Sequence, residues 1–255
     1  MESVTHEGVS APNADRNFRI RAHDALRTLA AISSAGALSG LLVGGVGGRL
    51  TMMLLARLNP EASGIRSDDG FIIGRFTFGN TLNLLAVGFA LGLFGAAIYV
   101  LVRGLLIGPR WFQILSISVG PALVVGNLLV HTDGVDFTRI DPAVLAIALF
   151  VLLPGVYAVM LTVLAERWAG PDGWFRRSPM KQVAPTLLVW VLGFPLLPVL
   201  AVLVALWLAR TALHRNPNTA ASLGHPAGPW VLRAALAALF VTSVANLASK
   251  TSELI

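Results

Sequence analysis

The chain of 255 residues has no cysteine. Disulfides, thiolate metal sites and cysteine nucleophiles are excluded on that count alone. It is also short of charge. Only 13% of its residues are charged, whereas a soluble domain carries about 25%, so a soluble surface of this size could not be covered. Lysine is nearly missing, with only Lys181 and Lys250 present. No Asp or Glu falls inside a long apolar run. Proton- and sodium-coupled carriers keep carboxylates in the membrane, so this absence argues against that mechanism. A phosphate-binding loop, a dinucleotide fingerprint and a His-Glu-x-x-His helix are also absent.

What is present is apolar. Hydrophobic residues make up 55% of the chain, and the mean hydropathy is +0.74. The composition is that of an integral membrane protein, and the lipid bilayer is its first partner. The net charge is +6. In a soluble protein that excess would raise nucleic acid as a partner. Here most basic residues flank apolar runs, the pattern that orients membrane helices, and no nucleic acid is expected. Arginine far outnumbers lysine, as in bacterial proteins of high genomic GC content.

A membrane helix needs about 20 mostly apolar residues. Arg27 to Arg49 leaves 21 uncharged residues, Arg75 to Arg103 leaves 27, and Arg110 to Asp133 leaves 22. Asp141 to Glu166 leaves 24, Lys181 to Arg210 leaves 28, and Arg233 to Lys250 leaves 16. The last suffices if it starts at Trp230 and Arg233 reaches back to the headgroups. The expected fold is an all-α, polytopic transmembrane bundle of about six spans: 28–50, 80–102, 112–131, 142–165, 183–208 and 230–248. A polar tail (1–27) precedes the domain (28–249), and a short tail (250–255) follows. The polar start is no cleavable signal. Asp141-Pro142 and Ser178-Pro179 read as N-cap followed by first helical residue. Trp111, Trp168, Trp174, Trp207 and Trp230 fall at span ends, where indoles prefer to sit, and Trp190 is interior. The basic residues favour cytoplasmic N- and C-termini, with a modest bias.

Gly36, Gly40, Gly44 and Gly48 recur every fourth residue in the first span, leaving one helix face bare. Gly88 and Gly92 offer a matching face in the second. Bare faces let backbones approach in lipid, within one chain or in a homo-oligomer. Pro195 and Pro198, with Pro185 and Gly193, mark the fifth span for a kink or hinge.

Two expected outer loops carry the polar chemistry. One contains Asp68 and Asp69 before Gly70; the other contains His131, Asp133 and Asp136. Carboxylates with one imidazole suit a divalent cation, although no calcium-loop spacing is present and Asp-Gly also simply forms turns. Arg49 follows the glycine ladder, with Arg57 two turns on. Arg49 is a candidate to pair with an outer aspartate or to hold a lipid phosphate. The run 71–78 is too apolar for a free loop. Asp68-Asp69-Gly70 with Arg75 falls short of the CDP-alcohol phosphotransferase pattern, because Arg66 stands where that pattern needs Asp.

Gly-Gly-Val-Gly-Gly-Arg-Leu (44–50), Asp-Asp-Gly-Phe-Ile-Ile-Gly-Arg-Phe-Thr (68–77), His-Thr-Asp-Gly-Val-Asp-Phe (131–137) and Ala-Leu-Phe-Val-Leu-Leu-Pro-Gly (148–155) resemble a family of multi-pass integral membrane proteins of actinobacteria. The resemblance covers about half the chain. It implies insertion in the bacterial plasma membrane and implies no activity. Three functions fit the sequence. The first is a non-catalytic membrane subunit, scaffold or envelope component, with a membrane-protein partner or as a homo-oligomer. The second is a small-solute transporter or channel. The third is a membrane-embedded enzyme or metal-binding protein with its site in the outer Asp/His loops.

Overall fold

The computed structural model describes residues 11–67, 70, 72–193, 198, 200–202, 204–205 and 227–255. The described chain is helical throughout and contains no strand; its one bridge joins Arg66 and Ile72 in a loop. Five helical stretches are long and apolar enough to cross a membrane: Arg19–Leu58, Phe78–Val102, Arg110–Leu129, Ala143–Arg177 and Trp230–Leu254. A shorter apolar stretch covers Met180–Leu192.

The first stretch is one rod built of three parts. Helix α1 (Ala11–Ser39) runs into a π-helical segment (Gly40–Gly47), and α2 (Gly48–Leu58) continues it. Helix α3 (Phe78–Val102) returns antiparallel to it. The two helices touch backbone to backbone. A Cβ added at Gly40 would lie 2.5 Å from Gly92 Cα, and one at Gly88 would lie 2.6 Å from Gly45 N. Only glycine fits such an approach, and dispersion and shape hold helices together where lipid offers no hydrophobic drive. The contact runs through Gly36, Gly40, Gly44 and Gly45, whereas a Cβ added at Gly48 would meet only the Leu84 side chain of α3, at 3.9 Å. The four-residue ladder does not hold to its end for a physical reason. Bonding from i to i+5 puts more residues in each turn than the 3.6 of an α-helix, so the face shifts along the sequence.

Helices α4 (Arg110–Leu129) and α6 (Ala143–Ala169) form a second close pair. Gly155 faces Ser118 and Ala122, and Gly126 faces Val151. Between them lies the short α5 (Val135–Thr138). Tyr157 of α6 spans to the first pair, donating its hydroxyl to Gly92 O at 2.7 Å. Two further turns, α7 (Trp174–Arg177) and α8 (Met180–Val183), lead to a 3-10 segment, Ala184–Leu188, and to α9 (Val189–Leu192). Pro185 accounts for that break, because it has no N–H to continue an α-helical ladder. Trp190 is buried there, and its indole donates to Ser33 Oγ at 3.0 Å. Of the proposed hinge residues, Pro195 lies outside the described residues and Pro198 is exposed.

The bundle has two ends. At the base lie Arg27, the turn at 103–110, the segment 166–178, and Trp111, Trp168, Trp174 and Trp230. Arg27 donates to Ser178 O at 3.2 Å, and Arg110 pairs with Glu166 at 2.6 Å. At the crown lie the loops 59–77 and 130–141. The last helix, α10 (Ala227–Leu254), starts at the base, where Arg233 Nε donates to Leu105 O at 2.8 Å. It ends at the crown, where Lys250 Nζ donates to Asn127 O and Val130 O at 2.6 and 2.9 Å. It therefore runs parallel to α4. Ser178 and Arg233 both lie at the base. Among the described residues Arg19 and Lys250 lie at opposite ends of the bundle, and five helices have the length of a membrane span; part of the expected fifth span, 183–208, lies outside the described residues.

The helix starts are corrected as well. Pro142 and Pro179 are themselves the N-cap residues, with extended ψ angles of 132° and 150°, and neither Asp141 nor Ser178 caps through its side chain. The backbone of Asp141 is committed to Asn59, and the carbonyl of Ser178 to Arg27.

Candidate functional site

A pocket of about 500 Å³ opens at the crown. Its first wall is α2. Arg49, Met52, Met53, Ala56 and Arg57 line it, at the three- and four-residue spacings that share one helix face. The opposite wall is the chain that follows α2. Asn59 ends the helix, Pro60–Ala62 forms a 3-10 turn, and the segment folds back on itself. Gly64 N donates to Ile73 O at 3.1 Å, and Ile73 N donates to Ile65 O at 2.9 Å. Gly74, at φ +77°, turns the chain toward Arg75 and Phe76, a conformation that a side chain disfavours. Ile140 of the second loop and Phe150 of α6 complete the lining. The apolar run 71–78 is thus no free loop: Ile73 packs against the crown cluster and Phe78 opens α3.

Three guanidinium groups line this pocket: Arg49, Arg57 and Arg75. Arg49 is half-buried and held in place. Its Nη2 donates to Arg75 O at 3.3 Å, and its Cζ lies 5.1 Å from the centre of the Phe76 ring. Its Nε is buried with no hydrogen-bond partner. A buried donor left without an acceptor costs about 1–3 kcal/mol. Among the described residues no carboxylate lines the pocket, and the two ion pairs, Arg110–Glu166 and Arg177–Asp172, are both at the base. Cationic groups on both walls beside a lining of Met, Leu, Ile and Phe make the pocket amphipathic.

His131, Asp133 and Asp136 belong to the second crown loop, and neither His131 nor Asp133 lines the pocket. Asp68 and Asp69 lie outside the described residues. His131 is exposed, with Nδ1 3.0 Å from Leu129 O. Asp133 is exposed, and the backbone of Asp136 belongs to α5. Among the described residues no three His, Asp or Glu side chains gather to hold a metal ion. The two loops do meet, but through other residues. Asn59 bonds to Asp141, and Leu55, Val130, Phe137 and Ile140 share one buried cluster. Phe137 packs edge-on against Phe150, with ring centres 5.5 Å apart.

The sequence singles out Arg49, with Arg57 two turns on. It does not join Arg75 to them, because that contact depends on the fold-back of the loop. No family model, curated protein or solved structure matches the chain.

Proposed function

We propose that the chain is a multi-pass protein of the bacterial plasma membrane and a non-catalytic one: a subunit, scaffold or envelope component. The observation that carries this reading is the centre of the bundle. Gly36, Gly40 and Gly44 press against Gly88 and Gly92, and Ile32, Ala35, Leu93, Ala96 and Leu161 fill the space around them. Such a centre is built to hold a shape. The outward faces support the membrane setting. Leu91, Phe94, Ile98 and Leu101 of α3 are exposed, as are Leu152 and Val156 of α6. Lipid covers such faces, whereas soluble proteins rarely leave them in water.

In this reading the base is cytoplasmic and the crown lies outside. Eleven basic residues belong to the base, from Arg16 to Arg233, and six to the crown: Arg49, Arg57, Arg66, Arg75, Arg139 and Lys250. That asymmetry is the one that retains a basic face in the cytoplasm. The number of crossings is odd, and the C-terminus is outside.

Native mass spectrometry tests the function, on chain extracted together with its surrounding lipid. A stoichiometric protein partner or a defined homo-oligomer is expected. A lone chain that carries ions or small solutes into proteoliposomes would overturn the reading.

A further inference from the structure

We propose that the crown pocket binds a phosphate-bearing anion, and that its source is the headgroup of an acidic phospholipid. The proposal needs the pocket to meet the bilayer, and it stands whether or not the chain has a protein partner.

The argument starts from charge. Arg49, Arg57 and Arg75 come together at one cavity from two different segments. None of the three has an ion-pair partner among the described residues. Guanidinium groups that share a cavity repel one another, and an anion removes that repulsion. A guanidinium offers paired N–H donors that match two oxygens of a phosphate. Arg49 is already oriented, by the Arg75 carbonyl and the Phe76 ring, and has a buried Nε still to donate. Arg57 and Arg75 are exposed at the rim, so a headgroup reaches them from the interface.

The floor narrows the ligand class. Met52, Met53, Leu55, Ile73, Ile140 and Phe150 line the cavity beside the arginines. A free phosphate has no use for that surface. A lipid does, because its upper acyl segments are apolar. The size agrees, since pockets for small amphiphilic ligands run from about 300 to 1,000 Å³. Methionine suits an acyl chain, because its unbranched thioether fills irregular space and adapts to it.

The test uses the full chain, reconstituted in phosphatidylcholine vesicles doped with phosphatidylglycerol. Lipid retained after extraction is read by native mass spectrometry. The unmodified protein is expected to retain phosphatidylglycerol over phosphatidylcholine. The double variant R57Q/R75Q should lose that preference, by about tenfold for each guanidinium removed. Both positions are exposed, so folding survives, and an unchanged melting temperature in pure phosphatidylcholine verifies it. R49K keeps the charge without the paired donors and should fall between. R103Q, at the base, should retain the lipid as the unmodified protein does. A second arm adds inorganic phosphate to the detergent-solubilised protein. If phosphate raises the melting temperature and displaces phosphatidylglycerol, and R57Q/R75Q abolishes both, the anion site stands and its source is free phosphate. If phosphate does neither while the lipid preference depends on the arginines, the source is the lipid. Equal phosphatidylglycerol retention and equal phosphate response in the unmodified protein and in R57Q/R75Q would overturn the proposal.

Discussion

Asn59 and Asp141, 82 positions apart, exchange two hydrogen bonds. Asn59 Nδ2 donates to Asp141 O at 2.9 Å, and Asp141 N donates to Asn59 Oδ1 at 2.7 Å. The carboxamide acts as a peptide group would in an antiparallel ladder. Nδ2 also donates to Leu55 O at 3.0 Å, so the same side chain closes the end of α2. Asn59 is buried, and its loss would leave several backbone groups open. N59L should lower stability by about 1–3 kcal/mol for each group left unpaired. N59D should be at least as harmful, because a carboxylate cannot donate to the two carbonyls. Thermal unfolding in detergent, followed by circular dichroism, measures both. A melting temperature that N59D leaves untouched would show that the link does not hold the crown.

The helical glycines differ sharply in what surrounds them. A methyl group at Gly40 would meet Gly88 O and lie 2.5 Å from Gly92 Cα, whereas one at Gly120 would meet nothing within 4 Å. Overpacking of this kind costs about 1–3 kcal/mol and occasionally more. G40A should therefore melt well below the unmodified protein. G120A should melt at the same temperature or slightly above it, since alanine loses less backbone freedom in a helix than glycine. Equal melting temperatures for the two variants would mean that the helices are not in backbone contact in lipid.

The sidedness of the termini can be read directly, because the chain has no cysteine of its own. A single cysteine is placed at Ser252 in one variant and at Ser3 in another. In intact cells a membrane-impermeant maleimide should label S252C, and should reach S3C only after permeabilisation. Labelling of both, or of neither, in intact cells would restore an even number of crossings.

Lys250 anchors the last helix. Its ammonium serves two carbonyls at the C-terminal end of α4, the end where the helix dipole favours a cation. K250M should release about 2 kcal/mol of that docking. Hydrogen exchange should then quicken along the C-terminal half of α10, with α1 and α3 unchanged. Unaltered exchange in α10 would assign its docking to apolar contacts such as Leu247.

Hydrophobic length is a local property, and so the apolar helices are legible in the sequence. The gap between Arg75 and Arg103 contains Phe78–Val102, and the gap between Asp141 and Glu166 contains most of Ala143–Ala169. Which face the last helix ends on is not local. It depends on where the chain stands at Ser178 and again at Arg233, and no count of uncharged residues records that. The pocket divides in the same way. Arg49 and Arg57 stand on one helix face by their spacing, whereas Arg75 arrives through backbone hydrogen bonds of a loop whose residues carry no signal for it. Asn59 was silent for a related reason. Its partners are main-chain groups, and any residue can supply those.

The wide turn at Gly40–Gly47 sets the rotational phase of everything beyond it. Each residue of an α-helix advances the face by about 100°. Tightening this segment to α-helical winding with all its residues kept would swing α2 around its own axis by an angle of about that size or more. Arg49 and Arg57 would then leave the crown pocket, although neither residue had changed. The glycine segment thus aims α2, and its wide winding matters to the pocket as much as the identity of the arginines.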